Sequence, residues 1–310
     1  MNPTPTVSRR RWLKTGAASI ATAVATRQSW AAARPQPDLK ILFYTDVHAG
    51  LDSSLTKPLT AAARAMRDVA SDVVISGGDA IHAGHRSTVA QAAPRFQQYR
   101  TFLDQLDRPV EHAIGNHDLA GAAPDDGSPP AEDPRAHAVK ELGIQAPYRT
   151  FEVGEHRFII LDSVALTGDE HVYRGHVDSR QLDWLRATLN DTPRTQPLVL
   201  VTHVPLRTTF LQEKSGPETP LTDRLVVANA NEVLAAFEGR PLPLILQGHL
   251  HSNEVIDWAG RKHVMGGAIS GAWWRGPHFQ TTHGFGVITI SDRRTDWEYR
   301  TYDWSPTSSA

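Results

Sequence analysis

Five short apolar runs in this 310-residue chain each stop at a cluster of aspartate, asparagine, histidine or glycine. The runs are 40–44, 73–75, 110–114, 198–201 and 242–246. The clusters after them are Asp46-Val47-His48, Gly78-Asp79, Gly115-Asn116-His117-Asp118, Thr202-His203 and Gly248-His249-Leu250-His251. An apolar run of this length bounded by polar residues reads as a strand buried on both faces. Between the runs, 59–70, 89–106, 178–190 and 224–237 space their apolar residues as helices do. Leu59, Ala62, Ala63, Met66 and Val69 share a face of the first, and Phe96, Tyr99, Phe102, Leu103 and Leu106 are the core candidates of the second. Asp178 is placed to cap the third. Strand, polar cluster and helix, repeated in that order, predict an α/β layer architecture.

The remaining segments refine that expectation. Segment 120–134 is rich in Ala, Pro, Gly and Asp without periodicity and reads as a loop, while 148–153 and 157–161 flank Gly154-Glu155 as a hairpin. From residue 254 onward, β-prone runs at 255–258, 264–265, 285–290 and 297–302 alternate with turns. They predict that 254–310 completes a second, antiparallel sheet beside the first. The whole is then a two-sheet sandwich flanked by helices.

Composition narrows the chemistry. The chain has no cysteine and fifteen histidines, so thiolate nucleophiles, disulfides and Cys-bound zinc are excluded. Metal ligands must be imidazole, carboxylate or amide, which suits zinc, iron or manganese. At the N-terminus, Ser8-Arg9-Arg10-Arg11-Trp12-Leu13-Lys14 precedes a mild apolar run at 16–25 and the small-residue site Ala31-Ala32-Ala33. The run is shorter than the ~20 residues that span a bilayer. The pattern resembles a twin-arginine export signal, giving residues 1–33 as signal peptide and 34–310 as the working domain. Cleavage after Ala33 removes Arg9, Arg10, Arg11, Lys14 and Arg27 and no acid, taking the net charge from −2 to −7. A nucleic-acid-binding surface is not expected on so acidic a protein, nor a membrane anchor after cleavage. The expected location is periplasmic or secreted, with the twin-arginine export machinery as partner.

Ligands of open α/β sheets sit outside the carboxyl ends of the strands, where all five clusters lie. Alternation along a strand lets Asp46 and His48 point together, and likewise His249 and His251. Glycines at 78, 115 and 248 clear space where the backbone must turn sharply or approach an ion.

These motifs, spanning residues 46–251, resemble those of the calcineurin-like metallophosphoesterases. The resemblance implies a four-layer αββα fold of two mixed β-sheets flanked by helices. It implies two divalent or trivalent transition-metal ions (Fe, Mn or Zn) that activate a bridging hydroxide for in-line attack on phosphorus. Asp46, His48, Asp79 and His251 would hold the first ion, and Asp79, Asn116, His203 and His249 the second. His117 would donate a proton to the leaving oxygen or stabilise phosphoryl charge, with Asp118 holding the His117 tautomer. In purple acid phosphatases of this superfamily a metal-bound tyrosine stands where this chain has His82, which points toward the phosphodiesterase-like branch. The expected substrate is a small-molecule phosphodiester. A phosphomonoesterase with the same centre is the alternative, and a non-catalytic metal-binding scaffold a further one.

Substrate walls are expected from 80–87, 120–134, 166–177, 206–223 and 271–283. His82 reads as a substrate contact or a polar loop residue. His85, Arg86, His171, Arg174, Arg207 and Arg275 are possible phosphate contacts or solvated surface groups. Trp273-Trp274 reads as an aromatic platform for substrate, with Trp274 as the contact, or as a plug in the second sheet.

Overall fold

The structure, a computed structural model, describes residues 38–291 and 294–306. The twin-arginine pattern and the proposed cleavage site lie outside the described residues. In chain order the first half comprises β1 (Leu39–Tyr44), α1 (Thr56–Arg67), β2 (Val73–Ser76), α2 (Val89–Leu106), β3 (Glu111–His112), α3 (Pro134–Leu142), β4 (Arg149–Val153) and β5 (His156–Ile160). It continues with β6 (Val164–Leu166), β7 (Tyr173–Gly175), α4 (Ser179–Asp191), β8 (Leu198–Val201), α5 (Phe210–Ser215), α6 (Ala230–Ala236) and β9 (Leu244–Gln247). The last strands are β10 (Glu254–Trp258), β11 (Arg261–Met265), β12 (Phe285–Ile290) and β13 (Thr295–Arg300).

Two mixed sheets result. One runs β13-β12-β1-β2-β3 and the other β10-β11-β9-β8-β5-β4, with β6 and β7 as a separate ribbon. Alternate side chains of each central strand sort into different layers, as the period of two requires. Ile41, Phe43, Val199, Val201, Leu244 and Leu246 pack between the sheets. Leu42, Tyr44, Leu198, Leu200 and Ile245 face outward into the core built with the helices, against residues such as Met66, Phe96, Leu185 and Phe237. The strands are apolar throughout because both faces are covered. That is the expected four-layer fold.

Several elements differ from expectation. The run 110–114 forms only a two-residue strand, because β3 is an edge strand that pairs only through Ile75 with Glu111 and Ser76 with His112. Beyond it, the Gly115 N–H turns to the Asp118 carboxylate instead of a neighbouring strand. The helix expected over 224–237 starts at Ala230, since Val227 and Ala228 donate their N–H groups to Pro205 and Gly175. The end of the 120–134 loop starts a helix, α3, capped by the Asp133 side chain, with a proline in its first turn and Gly143 beyond its end at φ +67°.

The placement of 254–310 in a second antiparallel sheet is corrected. Only β10 and β11 join the second sheet, with β11 parallel to β9. The last two strands extend the first sheet instead, β12 pairing antiparallel with β1 from Leu39–Ile290 to Phe43–Gly286. The edge of β1 opposite β2 would otherwise stand unpaired, and filling it buries Ile288 and Ile290 between the sheets.

Phe158 is fully buried between the sheets and stacks on Phe151 at 4.8 Å between ring centroids. Truncation to alanine should lower the unfolding free energy by about 3–5 kcal/mol, read from urea denaturation. A change below ~1 kcal/mol would mean the two sheets do not pack through this residue.

Candidate metal centre

The five polar clusters meet just beyond β1, β2, β3, β8 and β9. Asp46, His48 and His251 bring three potential ligand atoms together, and Asp79, His203 and His249 bring three more. Asp46 Oδ1 lies 3.3 Å from His251 Nε2 and 3.7 Å from His48 Nε2. Asp79 Oδ2 lies 3.7 Å from His48 Nε2 and 3.3 Å from His203 Nε2, so this one oxygen faces both groups. Asn116 Oδ1 stands 3.2 Å from His203 Nε2. All seven residues that the resemblance implies as ligands are therefore brought together.

Strand alternation is not what aims them. Asp46, His48, Asp79, His249 and His251 have φ of +56°, +49°, +56°, +78° and +54°, in the left-handed region. That conformation costs ~1–2 kcal/mol per non-glycine residue, and its concentration here marks a backbone shaped for the site. One consequence corrects the alternation argument. His249 and His251 do not point together: His251 joins Asp46 and His48, whereas His249 joins Asp79 and His203.

Hydrogen bonds to carbonyls fix the imidazole tautomers, since a carbonyl oxygen can only accept. His203 Nδ1–H donates to Gly77 O at 2.8 Å and His251 Nδ1–H to Gly271 O at 2.5 Å, which turns both Nε2 atoms inward. His249 is reversed, donating from Nε2 to Arg224 O at 2.8 Å, which frees Nδ1. Gly78 turns at φ +101° with the His203 ring against it, only 2.7 Å from where a Cβ would sit. The Asp46 carboxylate accepts from Thr45 Oγ1 and the His249 N–H on Oδ2, while Oδ1 is buried with no hydrogen-bond partner. Burial raises its pKa, but the His251 and His48 imidazoles outweigh that and hold it well below the carboxylate range. Burial likewise opposes protonation of His203, yet Asp79 and Asp46 push its imidazole up to about 9. A buried space that draws in positive charge and presents an orphaned carboxylate oxygen beside inward imidazole nitrogens fits a metal cation.

His117 borders this centre, its Nε2 4.0 Å from Asp79 Oδ2. The role expected for Asp118 is corrected. Its carboxylate does not touch His117; it accepts the backbone N–H groups of Gly115, Asp79 and Ala80 at 2.8–3.0 Å, and of Ile81 at 3.4 Å. The His117 tautomer is set instead by the Ala83 N–H, which donates to Nδ1 at 2.7 Å and leaves the proton on Nε2. Asp118 is a buried clamp between two loops, and its acceptor-only carboxylate suits four donors better than one imidazole.

The expected substrate contacts divide. His82 is exposed and its ring lies 5.7 Å from that of His48 and 5.6 Å from that of His117. Trp274 is not a plug in the second sheet. Its indole donates to His48 O at 3.1 Å, and Trp273 lies over His251 at 4.4 Å between centroids. Arg86 is taken up by Asp125 and the Glu170 carbonyl. Arg207 stands over Trp258, a residue of the second sheet's edge strand β10. A cleft of about 670 Å³ opens over His48, His82 and His117, walled by Leu51, Trp273 and Trp274. Leu51 carries no signal in the sequence, being a lone leucine in a loop. A larger cavity of about 770 Å³ lies at the amino ends of β8 and β9. Its Arg240 caps α4 carbonyls and its Lys262 pairs with Asp257, so the chemistry is not there.

The sequence model described as calcineurin-like phosphoesterase matches residues 39–253. A 3′,5′-cyclic adenosine monophosphate phosphodiesterase of Escherichia coli K12 is 26% identical over 196 residues, 62% of this chain and 58% of that protein's length. A Rhodococcus erythropolis protein described as "probable cyclic nucleotide phosphodiesterase" is 26% identical over 246 residues, 73% of this chain and 69% of that one. The crystal structure of a dimetal phosphatase from Danio rerio superposes with a TM-score of 0.62 at 17% identity, covering 84% of this chain and 96% of the other, and shares the fold.

Replacing Asp118 with alanine strands the buried N–H groups of Gly115, Asp79 and Ala80. At ~1–3 kcal/mol for each lost acceptor, stability should fall by about 3 kcal/mol or more, and metal content should fall with it. A variant that keeps both, measured by denaturation and elemental analysis, would refute the clamp.

Proposed function

This chain belongs to the calcineurin-like phosphoesterase family, and from that membership we propose that it is a metal-dependent phosphoester hydrolase with two metal ions, acting on phosphodiesters. The observation that carries the reading is Asp79 Oδ2, set between His48 Nε2 and His203 Nε2 at 3.7 and 3.3 Å. A carboxylate so placed can serve two ions at once. Asp46, His48, Asp79 and His251 would hold one ion, and Asp79, Asn116, His203 and His249 the other. Bound there, the ions lower the pKa of water and neutralise charge on the phosphoryl oxygens.

The remaining work falls to the chain's own groups. Burial, opposed by Asp79, holds the His117 pKa well below the ordinary histidine value, so the imidazole is neutral with its proton on Nε2. Its Nε2–H is the hydrogen-bond donor that stabilises charge developing on the leaving oxygen. The gly-rich turns and left-handed ligand backbones hold the donors in place before substrate arrives, which keeps reorganisation small. A diester is favoured because three arginines that could meet a second phosphate charge are engaged elsewhere. Arg86 and Arg95 are committed to loop contacts and Arg207 stands over Trp258. The phosphodiesterase descriptions of the bacterial relatives support the same choice. Export by the twin-arginine route, with cleavage after Ala33, rests on Arg9-Arg10 and Ala31-Ala32-Ala33.

Loaded with Mn²⁺, the protein should hydrolyse bis(4-nitrophenyl) phosphate. His117→Ala should keep both metals by elemental analysis and lose roughly 10²–10⁴-fold in kcat; unchanged turnover would remove His117 from the reaction. For export, the protein recovered from the periplasm should begin at residue 34 by N-terminal sequencing, and retention in the cytoplasm of an expressing bacterium would refute the route.

A further inference from the structure

Resting on the hydrolase reading above, we infer that the cleft walled by Leu51, Trp273 and Trp274 is the leaving-group subsite, and that it takes a neutral, flat, apolar alcohol or phenol. His117 is the link. It lines this cleft, and the Ala83 N–H ties back its Nδ1, so Nε2–H is the polar end left to act. A hydrogen-bond donor to the departing oxygen must stand on the side of that oxygen. The substituent on that oxygen then extends into the cleft His117 lines. In the step, the P–O bond to this alcohol breaks and the oxygen of water stays on phosphorus. The His117 Nε2–H hydrogen-bonds the departing oxygen, and the alcohol takes up a proton released by the attacking water.

The walls describe the group that fits. Leu51 is 62% exposed, an apolar surface open to the cleft mouth. Trp273 and Trp274 are held at φ of +51° and +67°, by bonds from Trp274 N–H to Ser270 O at 2.7 Å and from Ala272 N–H to Gly276 O at 2.8 Å. Two adjacent left-handed tryptophans are costly, and here the cost sets the indoles against the cleft. The charged residues lining it, Asp52 and Arg275, are opposite in sign, so no cation cluster awaits a second phosphate. The cleft's volume, about 670 Å³, is ordinary for a small-molecule site. On the far side of the centre, Tyr173 stacks edge-on against His249 and carries the Arg224 guanidinium at 5.4 Å. That side is polar and suits the part of the substrate that stays on phosphorus.

The test is internal competition on one molecule, methyl 2-phenylethyl phosphate, with Mn²⁺-loaded protein and products followed by ³¹P NMR. Both leaving groups are simple alkoxides of similar basicity, so uncatalysed chemistry gives little preference. Release of 2-phenylethanol with methyl phosphate should exceed release of methanol with 2-phenylethyl phosphate by about tenfold or more, on the scale of apolar-pocket discrimination. Leu51→Asp, at an exposed position, should bring the ratio toward one. The ratio is independent of how much enzyme is folded or metal-loaded, so a merely structural effect would not move it. With bis(4-nitrophenyl) phosphate turned over, a wild-type ratio near one, a reversed ratio, no release of 2-phenylethanol, or a ratio unmoved in Leu51→Asp would overturn the subsite alone. If no ester is hydrolysed, the hydrolase reading falls and the subsite with it.

Discussion

Four backbone N–H groups converge on the buried carboxylate of Asp118, from Gly115 on its own loop and from Asp79, Ala80 and Ile81 on the loop after β2. It is the densest tie between the two loops, which are joined also by the Ala83 N–H to His117 Nδ1 and the His117 N–H to Asp79 Oδ1. With it, the Asp79 N–H is fixed and its side chain swings inward, where Oδ1 accepts the His117 N–H at 2.8 Å and Oδ2 faces the histidines. Burial and the neighbouring Asp79 carboxylate push the Asp118 pKa up to about 7, while the N–H donors pull toward the ionised form. The position of Asp79, between the two histidine groups, is thus set by a buried carboxylate.

A similar arrangement recurs at the other ligands. The left-handed backbones of Asp46 and His48 are held by N–H bonds to Gly78 O and Asp79 O at 2.9 and 3.0 Å. The loop 270–276 adds a second layer: Ser270 Oγ donates to Asp46 O, Gly271 O accepts from His251, and the Trp274 indole donates to His48 O. Each bond is modest in net worth, ~1 kcal/mol, but together they over-determine the conformations that would otherwise relax. The aromatic wall of the cleft and the ligand geometry therefore share one support.

The parts of the fold legible in the sequence were those with a local cause. Buried strands ending in Asp, His and Asn stood out because apolar runs and polar ligands are both rare neighbours of each other by chance. Asp178 as a cap and Gly154-Glu155 as a hairpin turn were equally local. What was not legible depended on distant partners. The truncation of the 224–237 helix comes from tertiary bonds to Pro205 and Gly175, and the assignment of β12 to the first sheet from an open edge 240 or more positions earlier. The expectation that a carboxylate holds a histidine tautomer fails at Asp118, whose backbone partners lie up to 39 positions away. The helix α3 is a different case, since Asp133, Pro134 and Gly143 all signal it within the segment; the Pro- and Gly-rich loop before it masked that signal.

The pairing of β1 with β12 also sets an order in time. β1 lies near the start of the described chain, and its edge stays open until residues 285–290 exist. His48 and His251 are 203 positions apart, which at ~5–20 residues/s of synthesis is a delay of about 10–40 s. Asp46, His48 and Asp79 are thus made long before His251, and the wall at 270–276 that braces His48 and His251 comes later still. The metal centre is completed at the end of synthesis, as the closing of the sheet brings its last supports into place.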